Sequence, residues 1–216
     1  MNIYPELIAL IRTHTDPTPL ERILQTLGIA VDACTDAITR AQSSGNAEYI
    51  DAVVDDECDV IENLLGAAFV ACQADITAVI SHVKRMHKRA LADGHRLDSS
   101  DGSKAGIMAL GNQQLVATST YSYVQVIDAA ANYFKHRDEW RGSWTQFDPA
   151  SRQGKTVAII TAVGAKQGST GNMRTGVNAL GISNYRNLTI LYDHIASWAN
   201  NVATAYESEL RRFNLI

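Results

Sequence analysis

The sequence predicts an all-α fold, a single-domain helical bundle with three long helices and a central polar-faced helix. Apolar residues recur three and four positions apart over long stretches, which is the spacing of one face of an α-helix. Proline, which interrupts helices, occurs only four times in 216 residues. No internal repeat and no linker divides the chain, so we predict one α-helical domain over residues 1–216.

The first long helix is predicted near residues 18–42, after a short amphipathic segment at 3–12. Thr18, followed by Pro19 and Glu21, forms a capping box with proline at the first helical position. The apolar stripe of this helix consists of Leu20, Leu24, Leu27, Val31, Cys34 and Ile38. This stripe predicts one buried face along the whole helix.

The second long helix is predicted near residues 46–91, with Asn46 as its N-cap after a turn at 43–45. Its apolar seam consists of Val54, Cys58, Ile61, Leu65, Ala68, Cys72, Ile76, Val79, Val83 and Met86. Acidic residues cluster at 55–59 and basic residues at 84–89. This order complements the helix macrodipole, which explains both clusters without a function.

The third long helix is predicted near residues 184–213, with a continuous apolar stripe from Leu188 to Phe213. Between the long helices, the sequence indicates a polar loop at 93–104, a weak apolar segment at 105–115, an irregular stretch at 142–154 and a short apolar segment at 155–166. The last of these is predicted to be helical, with a strand at 157–161 as the alternative. Residues 164–176 are rich in glycine, serine, threonine and asparagine and predict a mobile loop.

Composition narrows the classes of function. The formal net charge of −4 and the sequence pI near 5.8 argue against a general nucleic-acid binder, although a local basic patch stays compatible with them. Cys34, Cys58 and Cys72 are odd in number and lack a CxxC spacing, so we expect reduced core thiols. The N-terminus lacks signal-peptide features, and no uninterrupted apolar run approaches the ~20 residues that cross a bilayer. We therefore predict a cytoplasmic protein without membrane contact.

The densest group of residues that could take part in catalysis lies in a helix predicted near residues 118–140. Asp128, Asn132 and His136 are each four positions apart and therefore share one helix face. An asparagine one turn before a histidine can fix its tautomer, and neighbouring cations can stabilise a developing anion. An asparagine, a histidine and cations in this arrangement suit acid–base catalysis on a phosphodiester. The alternative is a solvated helix face held by ion pairs.

The segment Asn132-Tyr133-Phe134-Lys135-His136 resembles the helix motif of HEPN domains, which are all-α proteins of prokaryotic toxin–antitoxin and phage-defence systems. Active members of that family are metal-independent ribonucleases that usually work as dimers, with two motifs meeting across the interface. Asn132 and His136 match the polar residue and the histidine of the motif. Ala131 stands where the family has an arginine that helps to engage the RNA phosphate.

The resemblance implies a role for each residue of this segment. His136 would be the general acid or base and Asn132 the residue that orients it. The substrate contacts would come from three cations and one aromatic ring, which are Lys135, Arg137, Arg141 and Trp140. The resemblance implies RNA as partner, a homodimer, no cofactor and no metal. With Ala131 in place of the arginine, a degenerate member that binds RNA without cutting it is equally compatible.

A second class of function is a non-catalytic helical interaction module of a bacterial complex, in which the polar row binds a protein partner such as an antitoxin or a defence component.

Two other motifs give weaker indications of function. Arg89 and His95 match the HEPN spacing, but Asp93-Gly94 is predicted to break the helix between them. Gly154-Lys155-Thr156 lacks the first glycine of a phosphate-binding loop.

Overall fold

The computed structural model describes residues 3–16, 19–111, 116, 119–140 and 142–216. Within these ranges all regular structure is helical and no strand is present, which confirms the all-α prediction. The helices are α1 (Tyr4–Arg12), α2 (Pro19–Gln42), α3 (Ala47–Ala92), α4 (Lys104–Ala109), α5 (Tyr123–His136), α6 (Arg152–Ala162), α7 (Asn172–Ala179) and α8 (Thr189–Arg212). Short 3₁₀ helices lie between α1 and α2 (Thr13–Thr15) and between α5 and α6 (Trp144–Gln146).

The long helix α3 is the axis of the molecule. It has 46 residues and is therefore about 69 Å long at 1.5 Å per residue. Asn46 caps its start, because the side chain accepts a hydrogen bond from the backbone N–H of Tyr49. Beyond its end at Ala92, Gly94 has a φ of +83°, a conformation that favours glycine.

The two halves of α3 have different surroundings. From Ile61 onward its apolar stripe is buried against α1, α5, α7 and α8. Before Ile61 no α3 side chain is fully buried, and the neighbour is α2, which runs antiparallel after the turn at 43–46. We call residues 33–60 the outer hairpin. It consists of the second half of α2, the turn and the first part of α3.

Several predicted boundaries change in the structure. The helix predicted at 118–140 is shorter, because Ser122 and Gln125 form a capping box that starts α5 at Tyr123. The chain turns after His136. The helix predicted from residue 184 begins at Thr189. Thr18, the predicted cap of α2, lies outside the described residues, although α2 does begin at Pro19.

Two predictions for the second half of the chain are corrected. The strand alternative at 157–161 is wrong, because these residues lie inside helix α6. The prediction of a mobile loop over 164–176 is wrong in its last part, because α7 begins at Asn172. The carboxylate of Glu62 on α3 accepts hydrogen bonds from the first turn of this helix. The local composition gives no indication of such a cap.

The core helix α3 also meets a length and composition test for a membrane span, with a mean hydropathy of 1.7 over 18 residues. Half of that window is buried inside the protein. A protein core selects the same apolar side chains as a bilayer does, so the test separates the two weakly. Of the three free thiols, Cys34 and Cys72 are buried and Cys58 is half-buried.

Candidate functional site

Helix α5 approaches α3 closely at one glycine. A Cβ atom added at Gly66 would lie 2.1 Å from the ring of Phe134, so only glycine lets this ring pack against α3. The row of Asp128 and Asn132 is held against α3 by the same approach. The close packing therefore decides which polar groups of α5 meet partners from other helices.

Five polar side chains in this region, two of them buried, form a hydrogen-bond network, which we call the α3–α5 polar cluster. Nε2 of Gln73 donates to Oδ1 of Asp128 at 2.7 Å and to Oδ1 of Asn132 at 3.0 Å. Nζ of Lys104 lies 2.7 Å from Oδ1 of Asp128, and Nζ of Lys135 donates to Oε1 of Gln73 at 2.6 Å. Gln73 and Asp128 are buried, so these bonds compensate for their removal from water.

The predicted catalytic pair is not joined in the structure. The side-chain amide of Asn132 donates to Oδ2 of Asp128 at 3.2 Å, and its oxygen accepts from Gln73. His136 lies at the last position of α5 with 47% of its side chain exposed. Its Nδ1 is 3.1 Å from Oε2 of Glu139. Within the described residues, Asn132 therefore has structural partners, and Glu139 is the group beside His136.

The predicted substrate contacts divide between two places. Lys135 belongs to the α3–α5 polar cluster. The guanidinium carbon of Arg137 lies 4.7 Å from the ring centroid of Phe134, and its Nη2 donates to Oδ1 of Asn63 at 3.1 Å. Trp140 packs against other aromatic rings beside Arg137. Arg141 lies outside the described residues.

Arg137 and Trp140 line an open cleft of about 500 Å³, which we call the tryptophan cleft. Helix α3 forms one side of it, the segment after α5 forms the second, and the turn at 167–172 forms the third. Trp144 and Tyr133 share the lining with Trp140. The ring centroid of Tyr133 lies 5.6 Å from each of the two tryptophan rings, at steep interplanar angles of 62° and 82°.

Glu62 forms the floor of the tryptophan cleft and orders its third side. This carboxylate is buried and accepts hydrogen bonds from the backbone N–H groups of Met173 and Arg174 at 2.8 and 3.2 Å. Its Oε1 also lies 2.8 Å from Nε of Arg174. A negative charge at a helix N-terminus satisfies free N–H groups and complements the helix dipole. Glu62 therefore caps α7 from 111 residues away.

The other motifs are separated by the fold. Arg89 pairs with Asp93 at 2.9 Å, and the ring of His95 lies 5.2 Å from that of Phe213, so Arg89 and His95 face different partners. Gly154-Lys155-Thr156 lies inside α6. Among the described residues, no three His, Cys, Asp or Glu side chains group in a way that could hold a metal ion.

Comparison of the chain with protein-family models, curated proteins and solved structures finds no match. The functional proposals below therefore depend on the geometry of the chain itself. Sequence reasoning missed Gln73, Lys104 and Glu62, which contact their partners across 24 to 111 positions. No local pattern indicates such pairs, because each side chain is ordinary on its own helix.

Proposed function

We propose that this chain is a helical interaction module that binds a basic protein partner through its outer hairpin. The observation that carries the proposal is the charge of this element. Residues 33–60 contain seven carboxylates and one arginine, a net charge of 1 − 7 = −6, whereas the whole chain carries −4. The acidic excess of the protein is thus concentrated in the outer hairpin, and the rest of the chain is slightly basic.

The carboxylates of α3 form a row on one face of the hairpin. Glu48, Asp51, Asp55 and Asp59 are spaced by three, four and four positions, and all four are exposed. None of the four forms an ion pair with another described residue. Like charges one helical turn apart destabilise a helix by roughly 0.2–0.5 kcal/mol per pair. A cationic partner would remove this repulsion, which favours binding of such a partner over a purely structural role.

Apolar side chains accompany the acidic row. Tyr49 is 53% exposed and Val60 is 45% exposed, and Ile50, Val53 and Val54 are only half-buried. A hairpin with one acidic and one apolar strip complements an amphipathic helix that carries lysine or arginine beside leucine or isoleucine. The proposed partner is therefore a protein with a basic amphipathic helix, and its charges would speed the encounter.

The test is a calorimetric titration of the protein with a helical peptide of leucine and lysine, at physiological ionic strength. The variant E48Q/D51N/D55N removes three charges from the hairpin and leaves Asp59 in place. We expect its affinity for the peptide to fall by about tenfold, which corresponds to roughly 1.4 kcal/mol.

The matched control is E6Q/D16N/D193N, which removes three exposed carboxylates outside the hairpin. We expect this control to keep the affinity within about twofold, because exposed charges more than a Debye length away are screened. Equal loss in both variants would show attraction by overall charge alone and would contradict the proposal.

A second candidate is an RNA-directed, HEPN-like protein, either a metal-independent ribonuclease or a binding relative without catalysis. The observation in its favour is that Arg137 and Trp140 share one cleft with Tyr133 and Trp144. Aromatic rings beside a guanidinium suit the stacking of unpaired bases. His136, exposed one residue before Arg137, would be the acid or base, and a homodimer would bring two copies of it together.

This candidate is tested by RNA cleavage in the presence of a chelator, with wild-type protein and His136→Ala compared. The chelator excludes metal-dependent contaminants, and the substitution removes the named group. Cleavage that is lost in the variant supports a metal-independent ribonuclease. Equal cleavage by both proteins means that the site is elsewhere, and no cleavage by either leaves RNA binding without catalysis and the interaction module as the remaining functions.

A further inference from the structure

We infer that the tryptophan cleft binds a small quaternary ammonium group, a ligand of the choline type. This goes beyond the proposed interaction module, which assigns no ligand to the cleft, and it differs from the second candidate, which places RNA bases there. The inference depends on three features of the described residues: an aromatic wall, carboxylates without a described ion-pair partner, and a frame of hydrogen bonds that holds the wall in place.

The aromatic wall presents ring faces at steep angles. Tyr133 lies edge-on to Trp140 and Trp144, and these three rings line the cleft. The ring of Phe147, which is not part of the lining, lies 6.0 Å from that of Trp140 at 72°. Both tryptophans are half-buried, so part of each indole faces the cleft. The face of an aromatic ring carries partial negative charge, and tryptophan attracts cations most strongly. This wall therefore favours a soft, apolar cation.

The charged groups of the cleft select the same sign. Asp59 and Asp138 line it, both are exposed, and neither forms an ion pair with a described residue. Among the described residues of the lining, the one cation is Arg137, which contacts the uncharged Phe134 ring and Asn63, so its charge offsets one of these two carboxylates. The buried charge of Glu62 is compensated by Arg174 and by the start of α7. The described lining thus keeps a net negative charge, which disfavours an anionic ligand such as a phosphate.

The wall is held by two side-chain amides. Asn172 is buried, and its amide nitrogen lies 2.9 Å from the hydroxyl of Tyr133 and 2.9 Å from the carbonyl of Lys166. Gln167 accepts from the backbone N–H of Trp144 at 3.0 Å and donates to the carbonyl of Gly142 at 2.7 Å. These bonds tie the turn at 167–172 to Tyr133 of α5 and to the segment that carries the tryptophans. A preformed pocket loses less entropy on binding, which suits a small ligand.

The experiment compares choline with 3,3-dimethylbutan-1-ol, a neutral molecule of the same shape. Each is titrated into the full-length protein at constant ionic strength, with tryptophan fluorescence and calorimetry as readouts. We expect choline to change the fluorescence and bind at least about tenfold more tightly than the neutral analogue, because only the cation interacts with ring faces and carboxylates. Equal binding of the two, or no binding of choline, would overturn the inference.

The variant D59N/D138N keeps the shape of the cleft and removes its free carboxylates. We expect it to weaken choline binding by about tenfold, whereas E48Q/D51N/D55N, with three charges removed from the hairpin alone, keeps the wild-type affinity. An unchanged affinity in D59N/D138N would overturn the inference. Because the hairpin variant is expected to lose peptide binding and keep choline binding, failure of one proposal is distinguishable from failure of the other.

Discussion

At the scale of single residues, Gln73 organises the contact between α3 and α5. Its amide nitrogen donates to Asp128 and Asn132, and its oxygen accepts from Lys135. One side chain thus contacts three polar side chains of α5 and contributes to the hydrogen bonds of the buried Asp128. In the sequence, the polar row of Asp128, Asn132 and His136 suggests catalysis. In the structure, the first two of these residues belong to the packing between helices.

The glycine at this contact allows a sharp test. Gly66→Ala places a methyl group within 2.1 Å of the Phe134 ring, and we expect a loss of about 1–2 kcal/mol in the free energy of unfolding, despite the better helix propensity of alanine. The control is Gly176→Ala, where the nearest atom is 3.4 Å away and the change should be neutral or stabilising. Urea denaturation of both variants measures this, and equal stability of the two would contradict the close approach.

Two histidines predict how stability depends on pH. Burial lowers the pKa of His82, and His14 and Arg85 lower it further; burial also lowers the pKa of His194. In the unfolded chain a histidine titrates near ~6.5. Protonation therefore favours the unfolded state, so the stabilising contribution is present above about pH 7 and is lost as pH falls through 6.5 towards the folded pKa.

We expect the free energy of unfolding to fall between pH 7 and pH 5 and to fall less steeply in His82→Asn and His194→Gln. Denaturation at several pH values measures the slopes, and comparison at pH 8 separates the loss of packing from the titration. Carboxylates whose pKa is lowered, such as Asp93 and Glu207, titrate at more acidic pH and therefore do not contribute to the slope between pH 7 and pH 5. Unchanged slopes in both variants would contradict the assignment.

At the scale of elements, α7 shows how a distant residue completes a helix. The segment around it is rich in small polar residues, and the N-cap Gly171 offers no side chain to the first turn. Glu62 from α3 supplies the missing acceptor. A helix of eight residues is too short to be stable alone, so its packing and this carboxylate together hold it.

Glu62→Gln is expected to lower the free energy of unfolding by about 2 kcal/mol, because it removes a charged acceptor from two N–H groups and from Arg174. Glu48→Gln is the control, since Glu48 is exposed and its replacement should change stability by less than about 0.5 kcal/mol. Thermal unfolding compares the two. A similar effect of both substitutions would mean that α7 does not depend on this cap.

At the scale of the whole molecule, α3 connects the outer hairpin to the core of the protein. The part after Ile61 is buried on one face by helices from the rest of the chain, and the part before it is covered by α2. Helices gain most of their stability from such packing. The part of α3 in the outer hairpin is therefore less buried than the rest of this helix, and the hairpin also carries the concentrated charge that we assign to binding.

Hydrogen exchange along α3 measures this difference directly. We expect amides at 50–58 to exchange faster than those at 65–86 by at least about tenfold, because local opening of the hairpin breaks few buried contacts. The control lies within the same helix, so sequence-independent effects cancel. Binding of the basic peptide should slow exchange in the hairpin alone, whereas uniform protection along α3 would contradict a division into two halves.

The all-α class and the three long helices were predictable from the sequence because their causes are local. Apolar spacing sets the buried face of each helix, Asn46 supplies its own cap, and Pro19 marks the start of α2. The ends of α5 were less predictable, because polar residues after His136 continue the helical pattern while the chain turns. The candidate residues themselves were visible, since a dense polar segment stands out in an apolar helix.

Only the tertiary structure decided what those residues contact. Gln73 is 55 positions from Asp128, and Glu62 is 111 from Met173, so neither partner follows from local spacing. The tryptophan cleft likewise needs α3, the segment after α5 and the turn at 167–172 to meet in space. The sequence by itself determined where the chain is helical, through the short-range spacing of apolar groups and caps. The fold determined which polar groups are paired and which remain free to bind, because burial and ion pairing depend on neighbours far away in the chain.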